Sequence, residues 1–566
     1  MSKNLKKYFP VLAGAFLVLC FVLYGFLALT GDQIYNSPDE TANYIFIKNY
    51  LQTGQIAIDE PLNLELEKQI QGRSFNVNSH GRLVPQGFVG MIMVYGLIGK
   101  IIGLSLIEYL TPLLAVLAVM AFYGLIKRFF SPKIALFSGF LMALHPVFLY
   151  YSNRGMMNNI PVLSLVILAV YFWVKIFENE KSKLLFYVLS AFCLALAVLM
   201  RPSELLWIAV MVLGLIIWQR KKIKWSYLSV GLILMIVLAL PVLEVNKTLY
   251  GSSFTTGYSK LDNDDGDRVE LIDISQADRD YDKNKQALVV KKNNNVWDLT
   301  RAFIAPFGFK EKRLMENFYK FILLIFWWIS IPLFLGLAKK FIDLMKKKIK
   351  RPEKFYLLTY CLSSVAVFVY YGSWWLWLYH SNYDLAKPTL DISYVRYFLP
   401  IYIFGLPFAV IGLNFMAKSL GKYKKSFIAL YLILFLTFSG YLTFFEKKLG
   451  MLQVEKTLDG YAERLELVKK RAPVNASILI VPNWADKVFD DEYKIIRQLN
   501  STKHFQALQK IPQTKFQGYY YSERPIDEVI AFSEGKLTEL NLSLEYVCHI
   551  SGTENLYKLI ELNNED

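Results

Sequence analysis

Two adjacent acids, Asp39 and Glu40, follow Pro38 just after the first apolar stretch of this 566-residue chain. Proline ends or kinks a helix, so the pair stands where the chain leaves an apolar environment. A carboxylate at such a border is raised in pKa by desolvation unless a cation offsets it, and it can then take a proton from an incoming hydroxyl as a general base. Cations of a matching kind occur at the ends of later apolar stretches, at Arg154, Arg201 and Arg396. The guanidinium fork suits two-point recognition of phosphate. His80 and Arg82, just ahead of Val84-Pro85-Gln86-Gly87, complete the candidates for an apolar–aqueous border. Each residue also has a plainer reading, as a solvated acid at a helix exit or an arginine snorkelling to the membrane surface, and the residues alone leave both open.

The elements that position these groups are set by composition. The chain is 54% apolar and 16% aromatic, with a mean hydropathy of +0.32, above the roughly 45–50% apolar content of soluble domains. Its net charge of +16 is spread in short runs between apolar stretches, which marks membrane orientation and not a nucleic-acid face. Apolar stretches recur near 10–30, 106–126, 134–151, 160–177, 184–200, 203–219, 226–245, 317–338, 355–371, 397–416 and 425–445. That predicts about eleven spanning helices, each near the roughly 20 residues a bilayer needs. The first begins with Lys3, Lys6 and Lys7 like a signal peptide, but it is long enough to span and no cleavage site follows, so it is expected to be retained. Basic runs at Lys127/Arg128/Lys133, Lys181/Lys183, 220–224, 339–354 and 418–425 fall on one side of this scheme, with the N-terminus, and assign that side to the cytoplasm. Residues 86–105 are apolar but glycine-rich and contain Lys100. If they crossed, the densest basic run would face outward, so they are expected to lie in the outer interface or to re-enter.

The expected fold is therefore mainly α: a polytopic helical bundle over 1–445, with a first extracytoplasmic loop at 31–105, a large loop at 246–317, and an extracytoplasmic α/β domain at 446–566. In that tail, residues 452–470 carry a helical pattern. Strand patterns follow at Ser477–Val481, Gln517–Tyr521, Leu544–Ile550 and Leu556–Ile560, with helical patterns near 489–498 and 525–537. Cys20, Cys193, Cys361 and Cys548 have no metal-like spacing and read as packing residues. His145 reads as a packed or interfacial histidine. Trp374, Trp375 and Trp377 read as an aromatic belt, with stacking on a pyranose as the alternative, and the acidic stretch Asp262–Asp267 misses the EF-hand spacing.

Few ionisable groups fall at mid-depth in the spans, where a coupled transporter needs them. The motifs in order resemble the C-type (GT-C) membrane glycosyltransferases, in the broad group of protein O-mannosyltransferases and aminoarabinose transferases. The resemblance rests on Pro38-Asp39-Glu40, the stretch from His80 to Gly87, the stretch from His145 to Arg154, Arg201-Pro202-Ser203, and Arg396 to Pro400, and it covers the layout of residues 1–445. It implies transfer of a sugar from a polyprenyl-phosphate donor, usually with inversion, at the extracytoplasmic face of a cell membrane, to a glycan, lipid or protein acceptor. Asp39 would be the base and Glu40 its neighbour. Arg154, Arg201 and Arg396, with His80 or Arg82 in a lesser role, would contact phosphate. Where relatives often carry an acid in the second outer loop, this chain has Asn158 and Asn159. Asparagine can orient a substrate but cannot act as a base or an anionic metal ligand, so no metal or other cofactor is expected, and no nucleic-acid partner. A diphosphate-linked oligosaccharide donor, or a transporter or flippase, is the alternative.

Overall fold

In this computed structural model the described residues are 3–30, 33–178, 183–258, 304–373, 390, 393–497, 502–511 and 515–562. The tryptophans at 374–377, the acidic stretch 262–267 and most of the loop 246–317 lie outside them. Two compact units emerge. One holds Met1–Leu29, Glu108–Leu243 and Arg268–Gln453, and the other holds Thr30–Ile107, Glu244–Asp267 and Val454–Asp566.

The first unit is helical. Among the described residues seven helices are long and apolar enough to cross a membrane, or nine if two bent pairs each count as one span. The remaining two expected spans appear as shorter apolar helices, Pro10–Tyr24 and Asn159–Lys175. Burial separates the core from the lipid-facing rim: most of Leu399–Ser419 is enclosed (83%), whereas Trp225–Tyr250 is almost bare (6%). Apolar side chains are at no disadvantage in lipid, so what decides the core is close packing. Leu399–Ser419 crosses Trp327–Met345 at glycines. A Cβ at Gly336 would lie 1.9 Å from the Phe408 carbonyl oxygen, and one at Gly412 would lie 1.8 Å from that of Pro332.

Two of the expected spans are bent. Pro132–Ala143 and Pro146–Ser152 meet at 51°, and Glu311–Leu324 and Trp327–Met345 at 102°. Pro146 causes the first break by excluding His145 from the helical region; the His145 ring instead caps the new helix, with Nδ1 accepting from the Val147 N–H at 3.3 Å. It stacks on Tyr402 with 5.5 Å between centroids and is fully buried. In the second, Phe318–Leu324 is wound as a π-helix, and the Ser330 hydroxyl donates to the freed Ile322 carbonyl. No charge pattern marks this bend, because it is made by backbone.

The second unit joins the first loop to the tail. Its sheet runs β4 (Lys494–Arg497), β3 (Ser477–Val481), β5 (Gln517–Ser522), β7 (Glu554–Glu561), β6 (Leu542–Ser551). The first three strands are parallel and the last two antiparallel. The strand β4 corrects the expected helix at 489–498. Its apolar pair Ile495-Ile496 is too short a run to distinguish the two periods, and pairing to β3 decides it. The first loop supplies Leu66 and Ile70 to the core beneath this sheet, against Ile478, Ile496 and Phe505. It also covers the exposed edge: Ile70 bridges Ile496, and the Gln71 N–H donates to the Ile495 carbonyl at 3.1 Å, shielding an edge strand from pairing elsewhere. Four ion pairs link loop and tail, Arg73–Asp486, Lys48–Asp491, Lys494–Glu60 and Lys510–Glu67. The loop and the tail, expected in separate domains, are thus one folded body, because the loop's apolar residues find their core only in the tail. The segment 86–105 contributes helix Val89–Ile102, which packs on helix Pro38–Thr53. At 14 residues it is about 21 Å long, short of the roughly 30 Å hydrocarbon core.

A buried acid sits where loop and tail meet. Asp490 Oδ2 is enclosed with no hydrogen-bond partner, as is Nε of Arg497. A Cβ on Gly72 would fall 1.9 Å from that oxygen, so only glycine allows the loop to close over it. Burial first, then the neighbouring Asp486 charge, raise the Asp490 carboxyl well above the usual range, against the opposing pull of Arg497 and Arg73. A group raised on folding stabilises below its ordinary value, about 3.9, and that stabilisation is lost as pH rises through the folded value. Thermal melting of the detergent-solubilised protein from pH 5 to 8 should therefore show wild type losing stability relative to D490N as pH rises. A constant difference would show that Asp490 does not titrate there.

Candidate functional site

The predicted residues divide between the two units. In the helical unit, the sequence Met200-Arg201-Pro202 creates a junction. Helix Lys183–Met200 stops there because Pro202 bars its predecessor from the helical region, and Arg201 adopts φ −154°, ψ 84°. A turn at Pro202–Glu204 then starts Leu205–Gln219. The arginine is left at the joint between two apolar helices, 8% exposed. Such a charge must be partnered. Its Nε lies 2.9 Å from Glu204 Oε1 and its Nη1 donates to Asn158 Oδ1 at 3.2 Å. Asn158 precedes helix Asn159–Lys175 and donates in turn to the Met200 carbonyl at 3.4 Å, joining two helical breaks. Glu204 also accepts from Tyr371 Oη at 2.8 Å and from the Trp207 indole.

Arg396 lies on the short helix Ser393–Tyr397 that leads into Leu399–Ser419. Its Nη1 donates to Met157 Sδ at 3.1 Å, beside Asn158, and its Nη2 to Tyr397 Oη at 3.4 Å. The Tyr397 ring is the meeting point: the guanidinium carbons of Arg201 and Arg396 lie 4.8 and 5.3 Å from its centroid, and Tyr371 stacks on it at 4.7 Å. The structure therefore gathers Arg201, Arg396 and Asn158 around one aromatic ring. Two guanidiniums held so close concentrate positive potential, and an anion relieves their mutual repulsion. Arg154 is buried, with Nη1 donating to Tyr150 Oη at 3.3 Å. It shares the Asn153–Asn158 connection with that cluster, its carbonyl accepting from the Met157 N–H at 3.0 Å.

In the second unit Asp39 opens helix Pro38–Thr53, with Ser37 extended ahead of it and Pro38 at the first position. Proline there sets φ for the helix, and two acids in the first turn oppose its dipole favourably. The two acids separate in environment: Glu40 is 2% exposed, while Asp39 is only partly buried. The Ser74 hydroxyl donates to Asp39 Oδ1 at 2.6 Å. His80 and Arg82 do not join Asp39. They belong to the turn between β1 (Phe75–Val77) and β2 (Leu83–Pro85), which Asn78 organises by accepting from both their N–H groups. Ser74 lies at the opposite end of that ribbon, about 10 Å away at roughly 3.3 Å per residue. His80 is exposed, and Arg82 is tied to Asp59 at 2.6 Å and to Gln55 at 2.6 Å. Among the described residues no three or more His, Cys, Asp or Glu side chains converge as metal ligands, and the cysteines are free thiols.

Sequence reasoning placed Glu204 at an outer helix end with no role, and missed Tyr371, Tyr397 and Ser74 as members of these clusters. The i,i+3 spacing of Arg201 and Glu204 was available as a signal. For Ser74, 35 residues from Asp39, no local signal exists.

Residues 92–244 match the family model of dolichyl-phosphate-mannose-protein mannosyltransferases. That segment contains Arg154, Asn158, Arg201 and Glu204. Among solved structures, the chain is similar to ArnT from Cupriavidus metallidurans bound to undecaprenyl phosphate, with a TM-score of 0.53, 12% identity, and 97% of this chain and 98% of that one covered. It is also similar to the archaeal oligosaccharyltransferase AglB from Archaeoglobus fulgidus, with a TM-score of 0.47 at 12% identity over 98% of this chain and 74% of that one. A search of curated proteins finds no match. The chain is thus similar to that mannosyltransferase family model across the second to seventh expected spans, and it shares the fold of ArnT over nearly its whole length.

Proposed function

We propose that this protein transfers a sugar from a polyprenyl-phosphate donor to a hydroxyl of an extracytoplasmic acceptor, with inversion. The observation that carries the reading is the convergence of Arg201 and Arg396 on Tyr397 at the ends of apolar helices, Arg201 falling within the matched segment. A lipid-linked phosphate is the anion such a place meets, and the ArnT structure of the same fold is bound to undecaprenyl phosphate.

In this scheme Asp39 takes the proton of the acceptor hydroxyl as its oxygen bonds to the anomeric carbon. The bond from that carbon to the phosphate oxygen breaks, and the electron pair leaves on polyprenyl phosphate. Arg201 and Arg396 stabilise that departing charge, which grows as the bond lengthens. Asn158, which Arg201 already holds, orients the cluster. Glu40, the neighbour of Asp39, is buried in the first turn of the same helix.

Three outcomes are expected. With a defined polyprenyl-phosphate sugar and purified protein in lipid, D39N should lose turnover by about 100- to 10,000-fold, the range for removal of a general base; turnover equal to wild type removes Asp39 from that role. R396A should lower kcat/KM for the donor by about 10- to 100-fold, as expected for a charge-assisted contact, and R201K should fall between it and wild type, because lysine keeps the charge and loses the fork. Equal donor dependence in all three proteins rules out the phosphate assignment. In intact cells, a single cysteine at His80, in a protein whose four cysteines are replaced, should react with a membrane-impermeant maleimide from outside; labelling only after lysis inverts the topology.

A further inference from the structure

We infer that Ser74 is a positioning residue for Asp39, and that it is held in place by Asp486 and Lys487 of the C-terminal tail; the inference rests on the reading of Asp39 as the base. The tail is then a working part of the catalytic turn.

Ser74 has φ +66°, a left-handed backbone that residues bearing a Cβ adopt at a cost and that surrounding structure must enforce. The enforcing contacts lie on either side. Its carbonyl accepts from the Gln86 N–H at 3.0 Å, which fixes it to the β1–β2 ribbon. Arg73, immediately before it, is gripped by Asp486: the backbone N–H donates to Oδ2 at 2.8 Å, Nε donates at 3.0 and 3.2 Å, and Nη2 donates to Oδ1 at 3.1 Å. Asp486 is fully buried, so the fork is stiff. The turn at 73–74 is thereby set so that the Ser74 hydroxyl meets Asp39 Oδ1 at 2.6 Å.

The next tail residue holds the other side of the acid. Lys487 Nζ donates to the Asn36 carbonyl at 2.8 Å and to Asn36 Oδ1 at 3.2 Å, just ahead of the helix that Asp39 opens. Helix Asp486–Phe489 itself packs against that helix. Two consecutive tail residues thus fix the segments before and across from Asp39. A base must meet its hydroxyl within hydrogen-bond reach and in the right direction, and a rotamer held by one short hydrogen bond meets that need better than a freely turning carboxylate.

The test compares D39N, S74A, S74G, S74N, D486N and the S74A/D486N double variant in the lipid-reconstituted transfer assay, with thermal melting of each. S74A should lower kcat by about 10- to 100-fold, the effect of losing a hydrogen bond to a charged group, while donor KM stays within about 2-fold. S74G relieves the backbone but lacks the hydroxyl, and should be as slow as S74A. S74N tolerates the left-handed backbone and restores a donor, so it should recover most of the rate. The double variant should be no slower than the slower single one, since both act through the same carboxylate. If D39N is inactive and S74A turns over like wild type, the inference fails and the base assignment stands. If D39N turns over like wild type, both fail. An S74N as slow as S74A at an unchanged melting temperature overturns the hydroxyl's role, and multiplicative losses in the double variant overturn the link to the tail. Should D486N melt early, the three Ser74 variants decide the matter alone.

Discussion

The fork between Arg73 and Asp486 is the contact on which the loop-and-tail unit of this protein turns. It joins residues 413 positions apart, and its carboxylate is wholly withdrawn from water. Taking an acid out of water is costly, and the cost is offset only when the partner is close, bidentate and supplemented by further hydrogen bonds. Asp486 meets that condition by accepting the guanidinium, the Arg73 backbone N–H and the Lys487 N–H. Removing either partner leaves a stranded charge. The loop and the tail are consequently bound together by a term that has no intermediate form, and Ile70, Gln71 and Gly72 are drawn with Arg73 onto β4 and Asp490.

The helical unit meets the same electrostatic demand in a different solvent. A lone arginine at a helix joint in lipid is expensive, and Arg201 is answered by Glu204, Asn158 and the ring of Tyr397. Glu204 is in turn satisfied by Tyr371 and Trp207. Networks of this kind are stable only when each member is satisfied, and they rigidify what they connect. Here they connect the helices that begin at Asn159, Leu205 and Leu399.

Much of this was legible beforehand. Spanning length and apolarity located the helices, because a bilayer imposes one dimension on every crossing. The motifs Arg-Pro-Ser and Arg-Tyr-Phe-Leu-Pro put arginines at helix joints, because proline cannot continue the helix before it. Three of the tail strands were readable to within two residues at their ends, and Ser477–Val481 to the residue. Other features were not readable. The bend at Phe326 is a backbone event without a compositional mark. The strand β4 is four residues long and gets its identity from its neighbour. His80 and Arg82 stood near Asp39 in the chain as part of one loop, but a hairpin sends its tip away from its base.

By itself the sequence determined that this is a helical membrane protein with a folded tail, where its apolar stretches end, and which ionisable residues stand at those ends. These are local consequences of length, polarity and proline. Only the tertiary structure decided that Arg201 and Arg396 share a tyrosine, that the tail and first loop are one body, and that the Ser74 hydroxyl meets Asp39. Those pairings span tens to hundreds of residues, and a partner at such a separation is chosen by packing, which no local pattern records. Asp39 could be singled out from its place after Pro38; what holds it in place could not.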